Sequence, residues 1–299
     1  MSYLEFDKNQ LVNLEYSFQR EILHSNRAGS YCCTTLSGCN TRKYHGLLVC
    51  PNHLLDGGKH VMLSSLDVTI IQHEAEFNLG IHKYFGENYH PKGHKYIRNF
   101  EMDVIPVTSY RVGGVVLTME QLLVEEKEQV LTRYTLTEGN SPTVIRFKPF
   151  LAFRNVHTLS RSNLYVNSRY ELVENGIKIK MYDGYPYLNM QTSKPAEYIH
   201  NPDWYNNIEY FKEKARGYDY IEDLFVPGYF EVEIKKGESI IFSASTFEAS
   251  PKQFNRLFNA EVSKKTSSGS FFGCLQNSAE QFFVKMPEFT DLLAGFPWY

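Results

Sequence analysis

The densest run of chemically able side chains in this 299-residue chain is Ser37-Gly38-Cys39-Asn40-Thr41-Arg42-Lys43-Tyr44-His45, which leads straight into Leu47-Leu48-Val49. Asn40, Arg42, Tyr44 and His45 supply donors and acceptors at the start of an expected strand. Two readings stand open: a turn with solvated side chains, or a polar rim that hydrogen-bonds hydroxyls or a neighbouring domain. A second group is Glu222-Asp223, a few residues after Arg216 and Asp219. Glycoside hydrolysis uses two carboxylates about 5–5.5 Å apart for retention, or about 6.5–9.5 Å for inversion, flanking the sugar. Adjacent residues on a strand point to opposite faces. Glu222 and Asp223 are therefore not expected to form that pair; an ion-pair cluster with Arg216 at an interface is the expectation.

Other chemistry is thin. His82, His90 and His94 fall in one segment, but Pro91 and Gly93 break any helix that would present His90 and His94 to one metal. The sequence has no GxGxxG, GxxxxGK[ST], GxSxG or HExxH motif. Five cysteines, Cys32, Cys33, Cys39, Cys50 and Cys274, form no CxxC pair, and their odd number argues against a disulfide framework. No metal, no cofactor and no catalytic residue is expected within these residues. With Lys plus Arg at 31 and Asp plus Glu at 34, the net charge of −3 argues against nucleic-acid binding by phosphate neutralisation and against a polybasic membrane contact. No apolar run reaches the ~20 residues of a membrane helix. The start, Met1 to Asp7, lacks the basic and apolar regions of a signal peptide, so a reducing cytoplasm is expected.

The elements that must position these groups read mainly as strands. Residues 61–66 alternate in part, and Val68-Thr69-Ile70-Ile71 is β-branched, after the turn signal Asp56-Gly57-Gly58-Lys59. Further strands are expected at Gly114–Leu123, Gln129–Leu136, Thr143–Phe150, Ile177–Met181 and Ile240–Ser245, separated by Gly-containing turns. The 44 aromatics, Tyr, Phe and Trp together, suit half-buried pleated surfaces. The expected fold is mainly β, a large antiparallel β-sandwich (supersandwich) over residues 1–249, followed by a short C-terminal helical linker over 250–299. Helices are expected from Trp204 behind an Asp203 cap, after Ser250-Pro251, and over Cys274–Met286, with Lys264–Ser270 as a polar loop. The sequence ends on Ala294-Gly295-Phe296-Pro297-Trp298-Tyr299.

Five ordered segments resemble the N-terminal domain of bacterial and archaeal glycogen debranching enzymes, the amylo-α-1,6-glucosidase type. They are Arg20–Val49, Tyr89–Tyr96, Lys148–His157, Arg216–Gly228 and Ala294–Tyr299. Where the family pattern has TNGLGGY, this chain has Ser25-Asn26-Arg27-Ala28-Gly29-Ser30-Tyr31, with two glycines replaced; Lys43 stands where the pattern has Arg. The resemblance implies that an (α/α) barrel carrying the catalytic carboxylates follows Ala294–Tyr299 in a longer parent. The parent would hydrolyse α-1,6 branch points of glycogen or a similar α-glucan. The partners implied are that barrel and the glucan, with no nucleic acid and no membrane. Asn40, Arg42, Tyr44 and His45 would form a polar rim at the junction, and Arg216, Asp219, Glu222 and Asp223 a second contact. Two other readings remain. One is a stand-alone carbohydrate-binding β-sandwich module. The other is a sugar epimerase-like sandwich enzyme, with His45 or His157 and a carboxylate as acid and base in a deep pocket inside one sheet.

Overall fold

A computed structural model of the chain describes residues 3–265, 269–285, 290–293 and 295. Two large antiparallel sheets face each other. Among the described residues the first has nine strands, in the spatial order Leu4–Asp7, Ile97–Met102, Pro106–Val112, Val115–Leu123, Gln129–Glu138, Ser239–Ser245, Leu188–Thr192, Gly176–Ile179 and Tyr170–Val173. The second has ten. Its path runs Glu21–Ser25, Tyr31–Thr35, Gly46–Pro51, Lys59–Gln72, Thr143–Asn155, Ile221–Ile234, Glu197–Glu209, Ile81–Tyr84 and Asn88–Lys92, and Ala75–Asn78 pairs beside Lys59–Gln72. This is the mainly β, antiparallel sandwich expected from the strand pattern.

Alternation along the second sheet explains how it buries both faces. Phe225, Phe230 and Val232 turn inward with Tyr134, Phe147 and Phe242 into the core between the sheets. Their rings stack at centroid distances of 5.1 Å for Tyr134–Phe147 and 5.4 Å for Phe147–Phe242. The intervening Leu224 and Val226 turn outward into a second cluster with Tyr31, Val61, Phe150 and Tyr210. Where a strand alternates between two apolar environments it has no polar face, so the middle of this one, Leu224 to Phe230, reads as a near-continuous apolar run flanked by acids.

Two helical expectations are corrected. Residues from Trp204 onward are strand: Glu197–Glu209 pairs antiparallel with Ile221–Ile234, and the short helix begins only at Phe211, ending at Ala215. Asp203 does not cap a helix; its Oδ1 accepts from the Trp204 amide at 2.8 Å, and the register shifts on either side of it. Long-range pairing overrides the local spacing of Ile208 and Phe211. The second correction is the last helix, which spans Phe271–Glu280, with Ser270 Oγ accepting from the Gly273 amide at 3.1 Å. Phe283–Lys285 then forms a small hairpin with Thr290–Leu292. After Ser250-Pro251 a single 3-10 turn opens the helix Phe254–Ser263, whose Phe254 and Phe258 pack on Leu131 and Ile241 of the first sheet. Of the expected terminal motif Ala294–Tyr299, all but Gly295 lies outside the described residues, as does part of the expected polar loop.

Candidate functional site

The glycine-poor turn that precedes the motif strands keeps its shape through a side chain. Asn26 Oδ1 accepts from the amides of Ala28 at 2.8 Å and Ser30 at 2.9 Å. That bracing holds Arg27 at a φ of 59°, a left-handed conformation where the family pattern has Gly. Tyr31–Thr35 leaves this turn and runs beside Gly46–Pro51, so the residues 40–45 form the loop at one end of the ten-stranded sheet.

Three segments far apart in sequence meet at this end. The guanidinium of Arg154, on Thr143–Asn155, pairs with Glu222, on Ile221–Ile234; Arg154 Nη2 to Glu222 Oε2 is 2.9 Å. Arg154 Nη2 also donates to the Lys43 carbonyl at 2.7 Å. Glu222 takes a further hydrogen bond from the Tyr210 hydroxyl, and two from Ser160, its amide at 2.9 Å and its Oγ at 3.0 Å. Burial opposes the charge on Arg154, and Glu222 beside it overcomes that and raises its pKa. Burial, together with the Glu222 charge, pushes the Tyr210 phenol up. A carboxylate engaged by Arg154, Tyr210 and Ser160 is a structural anchor. It pairs with Arg154, not with Arg216 as expected. Arg216 instead lies 3.6 Å from Glu213, on the short helix.

Over this anchor a group runs from the buried Tyr44 out to the surface. Tyr44 hydroxyl approaches His157 Nδ1 at 3.4 Å, their rings meeting edge to face, and Lys43 Nζ donates to the His157 carbonyl at 3.1 Å. The exposed Tyr218 ring lies between Lys43 Nζ at 5.4 Å and the Arg216 guanidinium at 4.9 Å, both within cation–π range.

The other expected residues have distinct places. Asn40 is buried, its amide donating to Ser64 and its Oδ1 accepting from Thr34. Asp223 is buried on the strand face opposite Glu222; it accepts from the Asn207 amide at 2.8 Å and the Ser162 amide at 2.9 Å. Asp219 is exposed. Arg42 and His45 turn toward Glu21 on the edge strand. Arg42 Nε is 2.7 Å, Lys212 Nζ 2.9 Å and His45 Nε2 3.4 Å from Glu21 Oε1. Burial works against the Glu21 charge, but the nearby His45 ring and the flanking cations Arg42 and Lys212 hold its carboxyl well below the usual range.

Glu21, Cys33 and His45 also bring three potential ligand atoms within 4.8 Å, the one such group among the described residues. Its chemistry does not suit a metal. Thr41 N–H donates to His45 Nδ1 at 3.2 Å, so the neutral ring carries its proton on Nε2, the atom that would have to ligate. Arg42 and Lys212 already neutralise Glu21, and burial pushes the Cys33 thiol well up. The same packing leaves fully buried His45 outside any deep pocket, while His157 is exposed, so neither sits as the epimerase-like reading requires. The cavity between the sheets, about 80 Å³ beside Asn40, Asp67 and Gln121, is lined by neither His45 nor His157.

Arg154 stood within a segment of the family resemblance but not among the expected site residues, and His157 was expected only as an acid or base of the epimerase-like reading. Glu21, Tyr210 and Ser160 carried no local signal, because their roles exist only through strand pairing. Among the described residues no helix is long and apolar enough to cross a membrane.

A family model described as glycogen debranching enzyme N terminal matches residues 20–241. A solved bacterial glucoamylase complexed with acarbose aligns at TM-score 0.40 and 8% identity, over 82% of this chain and 36% of its own. A polysaccharide lyase aligns at TM-score 0.28 and 10% identity, over 80% of this chain and 34% of its own. The chain thus spans about a third of the length of each. No curated protein sequence matches.

Proposed function

Since the chain belongs to the glycogen debranching enzyme N-terminal family, we propose that it is a non-catalytic domain that docks on a helical (α/α) catalytic barrel and shapes a cleft for α-1,6 branch points of an α-glucan. The observation that carries this reading is the convergence of three separated motifs on one buried ion pair, Arg154–Glu222, with Lys43, Tyr44, His157, Arg216 and Tyr218 arrayed above it. The two adjacent acids are unsuited to bond cleavage. Glu222 is saturated by its donors, and Asp223 faces away from it. The surface group, in contrast, combines cations with an exposed ring, a composition that suits an interface. On the loop that follows His157, Leu164 and Tyr165 stand almost wholly in solvent while its backbone is tied to Asp223 through Ser162. Arg42 and His45 support this surface from inside by fixing the 40–45 loop to Glu21.

The test is glucose release from a branched α-glucan. The chain alone should release none. Joined to the family's catalytic barrel, it should support release, and Lys43→Ala with Tyr218→Ala should lower the rate about tenfold without lowering thermal stability, the loss of about 1.4 kcal/mol at an interface. Release by the isolated chain, or full activity of the double variant, would overturn the proposal.

A further inference from the structure

A cavity of about 190 Å³, which shares no lining residue with the Arg154–Glu222 anchor, lies between the edge strand Glu21–Ser25, residues Asp103–Val104 and the helices Phe254–Ser263 and Phe271–Glu280. Two buried nitrogens on its wall, His24 Nε2 and Arg27 Nε, have no hydrogen-bond partner among the described residues. Buried polar groups without partners are rare in native folds, and two on one wall mark the place where water or a ligand that displaces it supplies the missing bonds. Lys265 lines the same space, where burial lowers its pKa. Lys264, by contrast, is engaged by Glu261 at 2.6 Å and Glu125 at 3.7 Å.

The charge pattern selects the class of ligand. Arg27, Lys264 and Lys265 set three cations on the wall, and Asp103, Glu125, Glu261 and Glu280 four carboxylates. An anion would meet the carboxylates, and a cation the ammonium and guanidinium groups. A hydroxyl both donates and accepts, so an array of hydroxyls suits interleaved charges of both signs. Asn277 and Gln281 add amides of the same dual character. The volume equals about six waters, room for one sugar ring inside the cavity.

We propose that this cavity binds a single neutral polyol unit, a free monosaccharide or the terminal residue of an oligosaccharide, held by His24, Arg27 and Lys265 against the helix Phe271–Glu280. Such a ligand would bridge the sandwich edge and the last helix. The site is separate from the docking surface and does not depend on it.

Titration calorimetry of the full chain with glucose, maltotetraose and inorganic phosphate tests it. Saturable binding of glucose, maltotetraose or both is expected, with a Kd on the order of 1 mM, and none of phosphate. Glucose alone would identify a free monosaccharide, and maltotetraose alone a chain terminus. Ser278→Trp, at an exposed helical position on the cavity wall, and Arg27→Met should each weaken binding about tenfold or more. Leu275→Trp, on the same helix but off the wall, should not. Absence of sugar binding, preference for phosphate, or sugar binding unchanged in both Ser278→Trp and Arg27→Met would overturn the proposal.

Discussion

Buried ionisable groups set how this molecule responds to acid. Burial, with Lys265 nearby, lowers the His24 pKa from 6.5 to about 3, and burial lowers that of His45. Between the ordinary and the lowered value the unfolded chain binds a proton that the folded chain does not, so stability falls as pH falls. Glu21 acts in the same sense lower down: its depressed carboxyl stabilises the fold above the ordinary value of 4.5, and that contribution fades as pH drops below it. Taking the protein from about pH 7.5 to about pH 5 should therefore cost about 2 kcal/mol from His24 alone. Urea midpoints measure this, and His24→Gln should flatten the slope; a midpoint independent of pH in this range would contradict it. The Arg154–Glu222 pair makes a sharper prediction. Arg154→Met or Glu222→Gln leaves the other partner buried without its counter-charge and should cost about 3–5 kcal/mol. The double variant should recover part of that loss. A full double-mutant cycle in urea checks it, and additive losses would remove the pair as the anchor.

At the scale of elements, the loop from Val156 to Arg169 has no regular structure yet is tied down repeatedly. Ser160 and Ser162 bond to Glu222 and Asp223, Asn163 Nδ2 donates to the Tyr182 hydroxyl at 2.9 Å, and the Asn167 amide donates to the Met181 carbonyl. Asp223→Ala removes acceptors for the Ser162 and Asn207 amides at once. It should make Arg161, exposed on that loop, an early trypsin site that mass spectrometry detects, while the wild-type loop resists. Equal cutting of both proteins would show that Asp223 does not hold the loop. These ties also show what the sequence made visible. Glycine turns and β-branched runs marked strands such as Gln129–Glu138 and Ser239–Ser245 to within two residues. The partnership of Arg154 with Glu222, 68 positions apart, depends on the register that sets Leu151 opposite Phe225, which no local pattern encodes. For the same reason Glu197–Glu209 looked helical near its end: its apolar spacing suited a helix, and its strand partner was out of view.

Taken whole, the chain builds a sandwich whose second sheet packs an apolar cluster on each of its two faces. Its outer cluster is covered in part by Phe282 and Leu293 from the C-terminal hairpin, and Lys285 N donates to the Arg27 carbonyl at 2.8 Å. The end of the described chain is thus fastened beside the turn that carries Arg27. The family motifs, read in order, pointed to the fold and to this end of the sheet. They did not separate supporting residues from surface ones. Asn40, His45, Glu222 and Asp223 are buried and support the structure, whereas Lys43, His157, Arg216 and Tyr218 form the surface. That division is the core of the docking account. Amide hydrogen exchange of this chain, alone and with the family's catalytic barrel added in trans, tests it most directly. The account predicts added protection in residues 41–45, 155–165 and 216–220; protection confined to other parts of the sandwich, or none, would contradict it.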